Sequence, residues 1–106
     1  MAQSLHTIEV NYTKALQQAQ KLEEVARKIE TLTEEQCQAC FHELSSNWKG
    51  DNADAFLKKG KRWNNDLKKS AKNLKDTGAA IREIAQRTYE AEKRAYEIAQ
   101  IRIYNK

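Results

Sequence analysis

Apolar and small residues recur along the first third of the chain in alternating steps of three and four. They occupy Leu5, Ile8, Tyr12, Ala15, Ala19, Leu22, Ala26 and Ile29. This spacing keeps their side chains on one face of a helix, as in the a and d positions of a coiled coil. The pattern predicts a long amphipathic helix that starts near residue 4.

The pattern changes after Ile29. The next apolar positions, which include Cys37 and Phe41, follow by steps of four. Repeated steps of four without a compensating three unwind a supercoil locally. Thr33, followed by Glu34, Glu35 and Gln36, also matches a capping box. We therefore expect a kink or short break near residues 31–33, after which the helix continues to residue 44.

The periodicity stops over residues 45–52. This segment contains Gly50 and several Ser, Asn and Asp side chains that compete for backbone hydrogen bonds. It predicts a short turn in which Gly50 adopts a positive φ. Asp51 or Asn52 is expected to cap the next helix by accepting its free N–H groups.

A second helix is predicted over residues 53–102. Steps of four and three alternate from Phe56 to Ile98 over nearly seven heptads. Gly60 and Gly78 lie inside this pattern, and each costs about 1 kcal/mol relative to Ala. Close approach of a partner helix at these two positions would offset that cost.

The predicted fold is all-α, a single-domain antiparallel helical hairpin over residues 1–106 that dimerises into a four-helix bundle. A turn this short forces the two helices to be antiparallel. A two-helix hairpin cannot surround its own core, so a symmetric dimer is the simplest way to bury the wide apolar stripe. The large residues expected in this hairpin and dimer seam are Leu5, Ile8, Tyr12, Leu22, Ile29, Phe41, Leu44, Phe56, Trp63, Leu67, Leu74, Ile81, Ile84 and Ile98.

Composition narrows the function classes. The 106 residues include no Pro and only 3 Gly, which disfavours a β-rich fold. No apolar run approaches the ~18 residues of a membrane span, and residues 1–14 lack the apolar core of a cleavable signal peptide. No phosphate-binding glycine loop, nucleophile elbow or HExxH sequence is present. We therefore expect neither enzymatic activity nor a cofactor.

Charge is unevenly distributed. Residues 1–47 carry 4 basic and 7 acidic groups, whereas residues 48–106 carry 15 basic and 8 acidic groups. The two helices should therefore attract each other across the flanks of their seam. Eight cations cluster in the second helix, at Lys58, Lys59, Lys61, Arg62, Lys68, Lys69, Lys72 and Lys75. Three interpretations stay open for them: a solvated or acidic-partner face, a nucleic-acid interface, and a membrane-surface helix.

Cys37 and Cys40 form a CxxC pair near His42. Such a pair is found in zinc and redox sites. Here a second ligand pair is missing, and His42 points away from Cys40 on a helix. Small core residues are the favoured interpretation, with metal and redox roles as the alternatives.

The turn carries a family resemblance. Trp48-Lys49-Gly50 is a Trp-x-Gly tripeptide at mid-chain in a proline-free helical hairpin of about one hundred residues. This arrangement resembles the WXG-motif family, the early-secreted-antigen-like proteins of type VII secretion, over essentially the whole chain. The resemblance implies a homodimer, or a heterodimer with a related protein or with the N-terminal helical region of a larger effector. It also implies export without a cleaved signal peptide through an ATPase-driven machine, with Trp48 and Gly50 serving in export.

The resemblance also implies a role as an exported protein or as an adaptor or chaperone for a larger effector. The alternative function is a basic helical module that binds nucleic acid or an acidic protein. Many family members carry a C-terminal Tyr-x-x-x-Asp/Glu export signal, and here Tyr89 precedes Lys93 and Tyr96 precedes Gln100 by four residues. Tyr89, Glu92 and Tyr96 are therefore either a degenerate signal or residues that pack on the seam flank. Export alone and export with a signal from a partner both stay open.

Overall fold

A computed structural model of the chain describes residues 4–104, which are helical except at the start and in one short turn. The elements are helix α1 (Leu5–Thr31), a π-helical turn (Leu32–Gln36), helix α2 (Cys37–Asn47) and helix α3 (Asp51–Tyr104). No β-strand occurs within the described range. The predicted all-α helical hairpin is confirmed, and the remaining residues of the predicted domain, 1–3 and 105–106, lie outside the described residues.

The chain forms two compact units, each made from one segment of the first arm (α1, the π-helical turn and α2) and one segment of α3. The terminal unit contains residues 4–21 and 77–104 of the described chain, and the turn unit contains residues 22–76. Within each unit the two segments run antiparallel, because the chain reverses direction once, between α2 and α3.

The turn is shorter than the sequence predicts. It covers only residues 48–50, instead of 45–52, because α2 continues through Asn47. The hydroxyls of Ser45 and Ser46 donate hydrogen bonds to the His42 carbonyl at 2.8 and 3.0 Å. These bonds to a carbonyl three and four residues back are compatible with a helix, so the two serines do not end it.

Helix α3 begins at Asp51 and not at residue 53. Gly50 has a φ of 116°, as predicted, and its carbonyl accepts the Asp54 N–H at 3.0 Å. The predicted capping role of Asp51 or Asn52 is wrong, because both residues already belong to the helix. Asp51 and Asp54 instead place carboxylates in the first turn, where they favour the positive end of the helix dipole.

The predicted irregularity in the first arm is a π-helical turn over Leu32–Gln36, and the Cys37 N–H donates to the Leu32 carbonyl. A step of four residues overshoots one α-helical turn by about 40°. The wider π turn absorbs the excess from successive steps of four and keeps the stripe facing α3. The capping-box interpretation is wrong: the Thr33 hydroxyl donates to the Glu30 carbonyl at 3.1 Å, inside a continuous helix.

The contact between the arms is made largely by small side chains. Ala26, Ala53 and Ala71 are fully buried in the turn unit, and Ala19 and Ala85 are buried with Ile8 in the terminal unit. Small side chains let two helices approach closely, since the interaxial distance depends on the residues between them. The core of each unit is therefore thin, and most large apolar side chains do not fit inside it.

The apolar stripe of α3 is divided between the core and the surface. Leu74 and Ile81 are half-buried against the first arm, whereas Phe56, Trp63, Leu67, Ile84 and Ile98 are exposed. The buried contact stripe of α3 consists mainly of small or polar residues, which are Ala53, Asn64, Ala71, Gly78 and Ala85. In the first arm, by contrast, Leu5, Ile8, Tyr12, Leu22, Ile29, Phe41 and Leu44 are all buried or half-buried.

Candidate protein-interaction site

The Trp-x-Gly turn holds Trp48 at the surface by local contacts. Trp48 has an extended backbone, and its N–H donates to the Leu44 carbonyl at 2.8 Å. The Lys49 ammonium donates to the Ser45 carbonyl at 2.6 Å, so the last turn of α2 is capped by the residue that follows Trp48. These bonds satisfy carbonyls that a helix end would otherwise leave open.

The Trp48 ring packs beside α3. Its centroid lies 5.7 Å from that of Phe56, and the two rings are tilted by 54°. Trp48 nevertheless stays 42% exposed and Phe56 52% exposed. The pair forms the start of an aromatic surface that continues along α3.

That surface, together with the groove beside it, is termed here the aromatic face. The groove is apolar, has a volume of about 230 Å³ and lies in the turn unit. Its apolar walls are Cys37, Phe41, Phe56, Trp63 and Leu67. Trp63 is 60% exposed, and the Lys59 ammonium lies 5.5 Å from its ring centroid. Exposed aromatic side chains of this size around a groove are typical of protein-binding surfaces.

Gly60 and Phe41 shape the bottom of this groove. A Cβ atom at Gly60 would lie 2.8 Å from Cε1 of Phe41, which is closer than van der Waals contact. Glycine therefore allows the Phe41 ring to lie directly on α3. This close approach is the compensation that the sequence predicts for a glycine within a helix.

A buried polar pair lies under the groove, and the apolar pattern of the sequence does not predict it. Asn64 is 2% exposed, and its amide donates to the Thr33 carbonyl in the π-helical turn at 3.1 Å. Thr33 is fully buried. The signal that could have located Asn64 is the interval of seven from Asn64 to the small residue Ala71, but polar Asn is not counted in an apolar pattern.

The terminal unit has its own groove of about 260 Å³, with Ile8, Tyr12, Ile81, Ile84 and Tyr89 among its lining residues. The Tyr12 and Tyr89 rings are stacked across the helix pair with centroids 4.5 Å apart. The Tyr12 hydroxyl donates to Oε1 of Gln86 at 2.6 Å. Exposed apolar side chains continue beyond this groove at Ile98, Ile101, Ile103 and Tyr104.

The three residues considered for a degenerate export signal take part in this packing to different degrees. Tyr89 is half-buried by its stack on Tyr12, and Tyr96 is also half-buried. Glu92 lines the groove, and its buried Oε2 has no hydrogen-bond partner among residues 4–104. The contacts of Tyr89 fit the interpretation of flank packing.

The cysteines lie on the first arm and the eight clustered cations on α3, and Cys37 and Lys59 both line the groove of the aromatic face. Cys37 is half-buried at the aromatic face, Cys40 is exposed, and both are free thiols. Within residues 4–104, no group of three His, Cys, Asp or Glu side chains could hold a metal ion. Among the eight clustered cations, Lys59 lies over Trp63 and Lys75 forms an ion pair with Glu30 across the two arms.

Comparison with protein families gives a match over most of the chain. The family model described as "Proteins of 100 residues with WXG" matches residues 7–93. No curated protein and no solved structure matches the chain. The matched range includes the turn, the aromatic face and the Tyr12–Tyr89 stack. No helix in the described part of the chain is both long and apolar enough to cross a lipid bilayer.

Proposed function

Because the chain belongs to the WXG100 family of helical, non-enzymatic proteins, we propose that it is a type VII secretion substrate that acts by pairing with another helical hairpin. The partner is a second copy, a related WXG protein or the N-terminal helical region of a larger effector. In this role the chain is either exported for its own sake or serves as an adaptor or chaperone for that effector.

The observation that carries the proposal is the aromatic face. Each unit fully buries mainly small residues between its arms and leaves several large side chains of α3 exposed, among them Phe56, Trp63 and Leu67 in the turn unit. A hairpin of this kind lacks the usual core of a folded monomer. A second hairpin on this face would bury these side chains. Their burial would stabilise the pair by about 25 cal/mol per Å² of apolar surface removed from water.

Export is the second part of the proposal. Trp48 is exposed at the turn, where a protein of the secretion machinery can reach it without opening the hairpin. We propose that Trp48 and Gly50 form the recognition element and that the chain leaves the cell without a cleaved signal peptide. Lys93 and Gln100 stand where a Tyr-x-x-x-Asp/Glu signal would have its acidic residue. We therefore propose that a partner chain supplies the signal.

Light scattering tests the pairing. The purified chain should show about twice its 12.3 kDa mass at micromolar concentration, or do so once its partner is added. Trp63→Glu should reduce the mass to that of one chain, because a buried carboxylate would be unpaired in the interface. Asn65→Glu is the matched control, since it adds the same charge at an exposed position of α3 outside the aromatic face.

A wild-type chain that unfolds cooperatively as a stable monomer, with no gain in stability from any related hairpin, would overturn the pairing. Equal masses for Trp63→Glu and wild type would mean that the interface does not include the aromatic face. Export is measured separately, as the extracellular and cytoplasmic amounts of the chain in its native host.

A further inference from the structure

Helix α3 carries a second surface that the proposed pairing does not use. It is the basic stripe, formed by Lys58, Lys61, Arg62, Lys68, Lys69 and Lys72. At 3.6 residues per turn, each of these positions lies at least about 120° around the helix axis from the centre of Phe56, Trp63 and Leu67. A hairpin seated on the aromatic face would therefore leave the basic stripe open.

The positive charge of the basic stripe exceeds the acidic charge beside it, since its six cations have three carboxylates at a distance of four residues, those of Asp54, Asp66 and Asp76. None of its six cations forms an ion pair or side-chain hydrogen bond within residues 4–104. Five of them are exposed and Lys68 is half-buried. The neighbouring cations behave differently, since Lys59 lies on Trp63 and Lys75 is paired with Glu30. Six like charges over about 21 Å of helix repel one another and favour an anionic partner.

The chemistry of the basic stripe indicates which anionic partner it fits. Five of its six cations are lysines, which act as flexible point charges and lack the planar fork that arginine offers to a specific acceptor. The stripe contains no aromatic or large apolar side chain to anchor a protein partner or to stack on a base. The contact stripe at Ala53, Asn64 and Ala71 lies about 60–80° around the helix axis from the centre of the aromatic face, so the first arm and the proposed partner occupy neighbouring sides of α3 and leave the basic stripe facing outward.

From these observations we infer that the basic stripe docks the paired protein on an anionic lipid surface, by contact with phosphate headgroups and without insertion. A continuous anionic plane is complementary to a row of lysines on the outer side of a helix. The absence of apolar residues from the stripe restricts the contact to the headgroups. This inference rests on the proposed pairing, because the pairing covers the aromatic face and directs the stripe outward.

Vesicle co-sedimentation tests the inference. Wild-type protein should bind phosphatidylcholine vesicles that contain phosphatidylglycerol at least about tenfold more tightly than vesicles of phosphatidylcholine alone, at about 0.1 M salt. The triple variant Lys61→Gln, Lys69→Gln, Lys72→Gln should lose at least about tenfold of this binding. The matched control Lys14→Gln, Lys21→Gln, Lys28→Gln removes the same charge from exposed positions of α1 and should bind like wild type.

Three results would overturn the inference: equal binding to both vesicle types, unchanged binding of the stripe variant, or an equal loss in the α1 control. Tighter binding to random duplex DNA than to the anionic vesicles would assign the stripe to nucleic acid instead. Light scattering on the same samples keeps the two proposals separate. A chain that pairs normally but does not bind the anionic vesicles would contradict only the lipid inference.

Discussion

At the scale of single residues, the turn depends on the positive φ of Gly50, which glycine adopts without steric cost. Gly50 has a φ of 116°, and a Cβ atom placed there would meet no atom of the described residues within 4 Å. The space around Gly50 would accept a side chain, so the constraint comes from its backbone. At Trp48 the side chain matters instead of the backbone: the ring is partly exposed and packs beside Phe56.

Replacing Gly50 should therefore cost stability through φ alone. We expect Gly50→Ala to lower the free energy of unfolding by about 1–2 kcal/mol. Gly50→Asn should cost less, because Asn tolerates positive φ better than Ala does. Urea unfolding followed by circular dichroism measures both variants. Equal losses would show that φ at this position is not the constraint.

Trp48→Ala should separate folding from export. The side chain is 42% exposed and lies outside the contact between the arms, so its loss should cost about 1 kcal/mol and leave the helix content and the mass of the paired protein unchanged. Export should fall sharply, and Trp48→Phe should restore part of it by keeping a ring beside Phe56. Unfolding of Trp48→Ala would show that the residue is structural, and normal export would remove Trp48 from the proposed recognition element.

At the scale of helices, the sequence predicts the elements well and their faces less well. The alternating steps in α1 identify its buried face, as Ile8, Ala19 and Ala26 show. The same alternation in α3 marks Phe56 and Trp63, which are exposed. Periodicity reports that a stripe is apolar, but it does not distinguish a stripe that faces the same chain from one that faces another chain.

The sequence does contain a trace of the true contact stripe of α3. Small residues recur at intervals of seven from Ala53 to Gly60 and from Ala71 through Gly78 to Ala85. A large apolar stripe dominates any hydrophobic count, so this weaker repeat is overlooked. The π-helical turn could be located from the steps of four, whereas the bond from Asn64 to Thr33 could not, since it depends on which residues the folded arms bring together.

This buried bond should matter for the turn unit. We expect Asn64→Ala to lower the free energy of unfolding by about 1–3 kcal/mol, because it removes the donor to the Thr33 carbonyl and leaves a small cavity. Asn64→Asp should cost more at neutral pH, since it buries a carboxylate against a carbonyl oxygen. Asn65→Ala, at an exposed neighbouring position, is the control and should change stability little.

The extra cost of Asn64→Asp should depend on pH in a defined direction. Burial raises the pKa of the new carboxyl group in the folded state above its value of about 3.9 in the unfolded chain. The folded state then binds more protons than the unfolded state between these two pKa values. The stability deficit relative to wild type should therefore shrink as pH falls from neutral toward 4. A constant deficit would mean that the new carboxylate is not buried.

At the scale of the whole molecule, stability should depend on protein concentration. The arms bury mainly alanines between them, and Trp63, Leu67 and Ile84 are exposed surfaces for the proposed second hairpin. Unfolding should therefore be coupled to dissociation, which makes the melting temperature a function of concentration. A tenfold increase in concentration is worth about 1.4 kcal/mol per dimer and should raise the melting temperature by about 3–5 °C.

Two variants turn this concentration dependence into a test of the aromatic face. Trp63→Glu should melt at a lower temperature that does not change with concentration, because its folded state is a single hairpin without the partner's contribution. Asn65→Glu should keep the wild-type dependence, since the same charge lies outside the face. Thermal unfolding over a hundredfold range of concentration measures all three proteins. A wild-type melting temperature independent of concentration, with or without a related hairpin present, would mean that the thin alanine core is sufficient and that the exposed aromatic residues serve another purpose.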